Sequence, residues 1–131
     1  MVCFDTSFVI DFLRGDKEAI SKVVNFKEMG QIMSIASPTL IELVSSAQLG
    51  IKKNQEKNKI LRFVSSVNVL PLDKDSAFLA GEIEGDLIMM GEKIGDTDVM
   101  IGAIALKNNE LLLTRNKKHF NKIPRLKIEV Y

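Results

Sequence analysis

The sequence predicts an α/β fold in which a central parallel sheet carries helices on both faces. Three observations carry that prediction. Short apolar runs at 2–4, 32–35, 67–72, 111–113 and 126–130 alternate with longer stretches whose apolar residues recur at helical spacing. Glycine or proline punctuates most of the boundaries: Gly15, Gly30, Gly50, Pro71 and Gly91. Strands separated by helices pair in parallel through right-handed crossovers, and such sheets are covered on both sides.

Taken in order, VCF at 2–4 reads as a buried strand that stops at Asp5. Phe8, Val9, Phe12 and Leu13 then mark a helix ended by Arg14-Gly15, and Ile20, Val23, Val24 and Phe26 mark a second over 17–29. IMSI at 32–35 is the next strand. Ser37-Pro38 opens the helix at 38–49, because Ser is a good cap and Pro loses nothing at a first helical position. A polar-then-apolar helix covers 52–65, and a strand at 67–72 is stopped by Pro71. A long helix follows over 73–90, with Gly81 and Gly85 inside it. The stretch 94–116, IGDTDVMIGAIALKNNELLLTRN, then combines an apolar helix that has acid at its mouth with a strand at 111–113 that turns polar. A basic turn and a last strand at 126–130 close the chain.

At 131 residues the chain is long enough for one domain, 1–131, with a real core. A hydrophobic content of 46% with 27% charged residues is ordinary for a globular protein. Asp5 comes too early to leave room for an apolar signal segment, and no apolar run reaches the roughly 20 residues that span a bilayer. A cytoplasmic protein with no membrane partner is expected. The single cysteine, Cys3, sits in an apolar run and reads as a core residue. Net charge is only +1, but it is unevenly spread. Eight acids lie against two lysines between Asp73 and Asp98, and seven bases lie against one acid between Lys107 and Lys127. That asymmetry suits an acidic metal site beside a surface that receives phosphate, or simply two solvated faces.

In an open α/β sheet, functional groups gather at the carboxyl ends of the strands. Asp5 and Thr114 to Asn116 fall at such ends, and Asp98 and Glu42 fall at or just inside the following helices. Several carboxylates brought together raise one another's pKa, and a divalent cation relieves the conflict. Carboxylates and amides without a His or Cys cluster suit hard Mg²⁺ or Mn²⁺, which is equipment for phosphodiester hydrolysis. Each residue also has a plainer reading. Asp5 is placed to cap a helix, and Glu42 to be a solvated helix residue. Asp96 is expected as the N-cap of the helix that aims Asp98, with a secondary place at the site. Asp98 would favour the helix dipole, and Thr114 and Asn116 would satisfy a turn. Arg115 is suited to a phosphate or to a surface ion pair, and His119, the single histidine, to packing or hydrogen bonding.

Three segments in order, DTSFVIDFLRG, PTLIELVSSAQLG and IGDTDVMIGAIALKNNELLLTRNKKHFNKIPRLKI, resemble PIN-domain ribonucleases, in particular the VapC-type toxins of toxin–antitoxin pairs. The resemblance covers essentially the whole chain. It implies a PIN-like α/β/α sandwich and an endoribonuclease dependent on Mg²⁺ or Mn²⁺. It makes Asp5 and Asp98 metal ligands and makes Glu42 an acid that binds or orients metal or water. Thr114 matches a residue that helps hold water. Asn116 stands where many relatives carry a fourth acid, and Gly102 stands where an alanine is usual. The resemblance also implies an RNA substrate, a cognate antitoxin that covers the site, and a homodimer.

Other readings fit less well. A haloacid-dehalogenase-like phosphatase requires a second Asp two positions after the first, and Asp5 is followed by Thr6 and Ser7. A receiver domain requires paired acids before Asp5, where the chain has four residues. A catalytically weakened PIN-like module that binds RNA or a partner is the remaining alternative, kept open by Asn116.

Overall fold

The computed structural model describes residues 1–131. Five strands form one fully parallel sheet: β1 (Val2–Phe4), β2 (Met33–Ala36), β3 (Asn68–Leu70), β4 (Leu111–Thr114) and β5 (Ile128–Val130), in the order β3-β2-β1-β4-β5. Seven helices connect them: α1 (Thr6–Leu13), α2 (Lys17–Glu28), α3 (Ser37–Gln48), α4 (Lys53–Val64), α5 (Lys74–Met89), α6 (Asp96–Lys107) and α7 (Lys117–Phe120).

Strand side chains point alternately to the two faces, and the sequence uses both. Val2, Phe4, Ile35 and Leu113 pack with Phe8, Val9, Leu43, Ile60 and Phe63 on the side of α1 to α4. Cys3, Ala36 and Leu112 pack with Ala80, Leu87, Ile101, Ile104 and Phe120 on the side of α5 to α7. Filling both faces is why the strands read as unbroken apolar runs rather than as alternating ones. Each large side chain buried this way is worth about 1.5–3 kcal/mol. Helix α6 is buried nearly all round, at Val99, Ile101, Gly102, Ala103, Ile104 and Ala105. It therefore behaves as a core element and packs against α5, α3 and α7.

Local chemistry sets the helix ends. The side chains of Asp5, Asp16 and Asp73 accept from the backbone N–H of Phe8, Ala19 and Ser76, satisfying otherwise orphaned donors at the starts of α1, α2 and α5. Gly15 and Gly91 take left-handed φ values of 85° and 68° just beyond α1 and α5, where a side chain would be strained.

The structure corrects three expectations. Ser37 does not cap α3: Ala36 occupies the cap without a side-chain bond, and Ser37 Oγ instead accepts from Leu72 N at 3.1 Å. That bond ties the start of α3 to the chain leaving β3. The strand expected at 67–72 is only Asn68–Leu70, since Pro71 has no N–H for a ladder. The basic turn contains the short helix α7, anchored by Phe120, which is fully buried.

The order of the sheet positions the site. From β1 the chain moves outward through β2 to β3, then crosses back to place β4 on the other side of β1. The carboxyl ends of β1 and β4 therefore flank the point where strand order reverses, the usual place for a binding crevice in such sheets.

Candidate active site

Asp5 follows β1 directly at that point and is 3% exposed. Its Oδ1 accepts from Ser7 Oγ at 2.8 Å and from Phe8 N at 3.0 Å. Its Oδ2 accepts from the hydroxyl of Thr114, at the end of β4. Burial pushes the Asp5 carboxyl up from its ordinary value, the bonds from Thr114, Phe8 and Ser7 pull it down, and the negative charge of Asp98 pushes it up again. Asp5 thus caps α1 and also shares an electrostatic environment with Asp98. The two readings of this residue are compatible.

Asp98 lies in the first turn of α6, a quarter exposed, with Oδ2 2.9 Å from His119 Nδ1. His119 Nδ1 also lies 2.9 Å from the Asn116 side-chain amide. The backbone N–H of Asn116 donates to Thr114 Oγ1 at 2.9 Å. Thr114 is fully buried and its one hydroxyl hydrogen goes to Asp5, so it orients a carboxylate rather than facing solvent. Asp96 is not the cap of α6. Gly95 is, with no side-chain bond, and Asp96 is the first helical residue and exposed. With Asp98 it places negative charge where the helix dipole favours it.

Glu42 stands apart. It is exposed on α3, and Thr6 Oγ1 donates to its Oε1 at 2.5 Å. No three His, Cys, Asp or Glu side chains gather as a metal-holding group; polar contacts join Asp5 to Asp98 through Thr114, Asn116 and His119, while the bond from Thr6 is the one Glu42 receives. Arg115 is committed elsewhere: Nη2 is 2.5 Å from Asp11 Oδ2, and the guanidinium lies 5.1 Å from the centre of the Tyr131 ring. Tyr131 OH donates to the same Asp11 oxygen at 2.8 Å. Of the two readings of Arg115, the ion pair is the one present. Cys3 is fully buried, and burial pushes its thiol up, so it is a core residue and no nucleophile.

The donors present fit a hard divalent cation in kind. Two carboxylates joined through Thr114, Asn116 and His119, with no thiolate among them, suit Mg²⁺ or Mn²⁺, which commonly take one or two carboxylates and complete their shells with water and phosphate. A closed cage of protein ligands is not required, and none is built.

A parallel sheet of this order with paired acids at its switch point defines a class, and the sequence comparison agrees with it. The PIN-domain family model matches residues 2–126, and the chain belongs to the PIN-domain family. Ribonuclease VapC2 of Rickettsia felis is 32% identical over 97 residues, covering 74% of this chain and 72% of that protein. The tRNA(fMet)-specific endonuclease VapC of Salmonella typhimurium is 29% identical over 125 residues, covering 95% and 93%. The crystal structure of VapBC2 from Rickettsia felis, bound to a DNA fragment from their promoter, superposes on this fold with a TM-score of 0.93 at 25% identity. It covers 100% of this chain and 99% of that one.

His119, expected to pack or hydrogen-bond, does hydrogen-bond; its partners, Asp98 and Asn116, are what sequence reasoning missed. Its position three residues after Asn116, on one turn of helix, was the available signal.

Proposed function

We propose that this chain is a VapC-type endoribonuclease that hydrolyses RNA phosphodiester bonds with Mg²⁺ or Mn²⁺ and serves as the toxin of a toxin–antitoxin pair. The observation that supports the reading is the series of polar contacts that joins Asp5 to Asp98 through Thr114, Asn116 and His119 at the switch point of a PIN fold. These two carboxylates would hold the cation. When bound, such a cation supplies electrophilic assistance at the phosphoryl oxygens and eases deprotonation of water. The protein's part is orientation. Ser7, Phe8 N and Thr114 fix Asp5, and His119 fixes Asp98. Glu42, held by Thr6 beside Asp5, is placed to orient water or substrate from the rim. Lys117, Lys118 and Lys122 follow the site residues in sequence and suit the phosphates flanking a scissile bond.

Relatives solved as VapBC complexes support a cognate antitoxin as the partner, and the name of the Salmonella relative makes structured tRNA the first substrate to test. A cytoplasmic location accompanies that substrate; no helix is long and apolar enough to cross a membrane. Homodimerisation is supported by α5, whose outer face exposes Phe78, Ile88 and Met89 around Gly81 and Gly85. Sedimentation should give a dimer that Phe78→Glu splits.

The direct test is cleavage of tRNA and single-stranded RNA with Mg²⁺ or Mn²⁺ by wild type, Asp5→Asn and Asp98→Asn. Cleavage by wild type alone, abolished by chelator, is expected. Equal cleavage by all three would remove the assigned site, and no cleavage by any would leave a binding module.

A further inference from the structure

Asp98 is the less constrained of the two paired carboxylates. The cap of its helix, Gly95, makes no side-chain bond, and no other residue of α6 holds the Asp98 side chain. Its partner lies 21 residues further on, where His119 Nδ1 sits 2.9 Å from Oδ2. Beyond His119 the contacts continue without a gap. The Asn116 amide is 2.9 Å from the same ring nitrogen, Asn116 N donates to Thr114 Oγ1, and Thr114 donates to Asp5. Residues 114–119 thus join the two acids through one series of polar contacts.

An ionised carboxylate only accepts, so the hydrogen of the Asp98 contact belongs to Nδ1. A nitrogen that donates there cannot also accept from Asn116. The atom placed against Nδ1 is Asn116 Nδ2, and turning the amide end for end puts its oxygen there to share that hydrogen and steady the ring. The Asp98 oxygen keeps a second lone pair for a cation. This is the usual division between a ligand and the group that orients it.

We propose that His119, steadied by Asn116, is the positioning residue of Asp98, and that Asn116 acts through the imidazole rather than on the cation. The proposal rests on the reading of Asp5 and Asp98 as the cation-holding pair. A merely structural role for His119 is not needed to dock α7. Phe120 and Ile123 already do that, filling the space that Gly102 leaves open on α6, where an added Cβ would clash with Ile123 Cδ1. The His119 side chain itself is 43% exposed.

The experiment titrates Mn²⁺ alone into the full chain by electron paramagnetic resonance, alongside RNA cleavage and metal-free melting. His119→Ala is expected to bind Mn²⁺ roughly 10–100-fold more weakly than wild type, with its melting temperature nearly unchanged. His119→Asn, whose Nδ2–H takes the place of the ring Nδ1–H, should restore binding to within a few-fold. Asn116→Ala should weaken binding less than His119→Ala and add nothing in the double variant. An additive loss would mean that Asn116 meets the cation itself, overturning its assigned role. If His119→Ala binds Mn²⁺ like wild type while Asp98→Asn loses it, the positioning role is wrong and the paired site stands. If Asp98→Asn also binds like wild type, the paired site is wrong and this inference falls with it.

Discussion

Two carboxylates are buried in this protein, at opposite ends of the same sheet. Asp5 follows β1 and is 3% exposed; Glu110 precedes β4 and is 4% exposed. Asp5 receives three hydrogen bonds, two of them from neighbours in its own helix start. Glu110 receives one, from Ser34 Oγ at 3.3 Å, and its Oε2 has no partner. Burial pushes both carboxyls up from their ordinary values. At Asp5 the opposing donors are aimed and numerous, whereas at Glu110 only Ser34 and the amino-terminal ammonium pull back. Burial alone therefore does not distinguish the two acids. What separates the two is the set of donors built around Asp5.

The largest effect should come from breaking the first member of the comparison. Asp5→Asn keeps the shape, and its amide oxygen can still accept from Ser7 and Phe8 N while its nitrogen faces Thr114. RNA cleavage should fall by at least about 100-fold as a charged cation partner is lost, with the melting temperature equal or higher because a buried charge is removed. Asp5→Ala is a poorer test, since it also removes the α1 cap at a cost of about 0.5–2 kcal/mol. Wild-type cleavage by Asp5→Asn would sink the assignment.

Next is the donor that distinguishes the two sites. Thr114→Val is close in shape but strips Asp5 Oδ2 of its bond and leaves Asn116 N without an acceptor. Urea unfolding should show a loss of about 1–3 kcal/mol, and cleavage should weaken as Asp5 loses its orientation. Unchanged stability together with unchanged cleavage would mean that the donors around Asp5 do not set it apart.

What was legible in the sequence was whatever local chemistry decides. Alternating apolar runs gave the order of strands and helices, and an acid just after a strand gave Asp5. Features set by contacts between distant segments were not legible. Ser37 and Asp96 are good caps locally, but the junctions that enter α3 and α6 place Ala36 and Gly95 at the cap positions instead. His119 meets Asp98 across 21 residues, and Arg115 meets Asp11 and Tyr131 from three separate parts of the chain. Glu110, in the polar run KNNE, is buried near Ser34, 76 positions away. That Asp5 and Asp98 lie at one edge of the sheet follows from the topology, whereas the bond from Thr6 to Glu42, 36 positions apart, required the structure.

The second carboxylate gives a smaller effect and a definite pH dependence. The folded-state pKa of Glu110 lies above its ordinary value, so between the two the folded chain binds more protons than the unfolded one. Its contribution is fully favourable below the ordinary value and is lost as pH rises through the folded one. Asp5 acts in the same direction. The exposed Asp73, held below its ordinary value chiefly by Lys107, acts oppositely at lower pH and is screened by salt. Glu110→Gln should therefore flatten the fall in stability above the ordinary carboxylate range. At pH 8 it should raise stability by about 1 kcal/mol, with cleavage unaffected. A steeper fall with pH, or a loss of cleavage, would show that Glu110 serves the site after all.

The smallest effect isolates what one long hydrogen bond does for a charge that has no other. Ser34→Ala removes the side-chain donor to Glu110 from a fully buried position in β2. At 3.3 Å that bond is long, so the loss at pH 8 should be only about 0.5–1 kcal/mol by urea unfolding. The informative arm is the cycle with Glu110→Gln. If Ser34 matters because Glu110 is charged, Ser34→Ala should cost less in the Gln background than in wild type, and less at pH 4 than at pH 8, since protonation removes the same charge. A cost that is equal in both backgrounds would mean that Ser34 packs β2 and does nothing for the carboxylate. Glu110 would then be a buried acid with no effective donor, and the contrast with Asp5 would be sharper still.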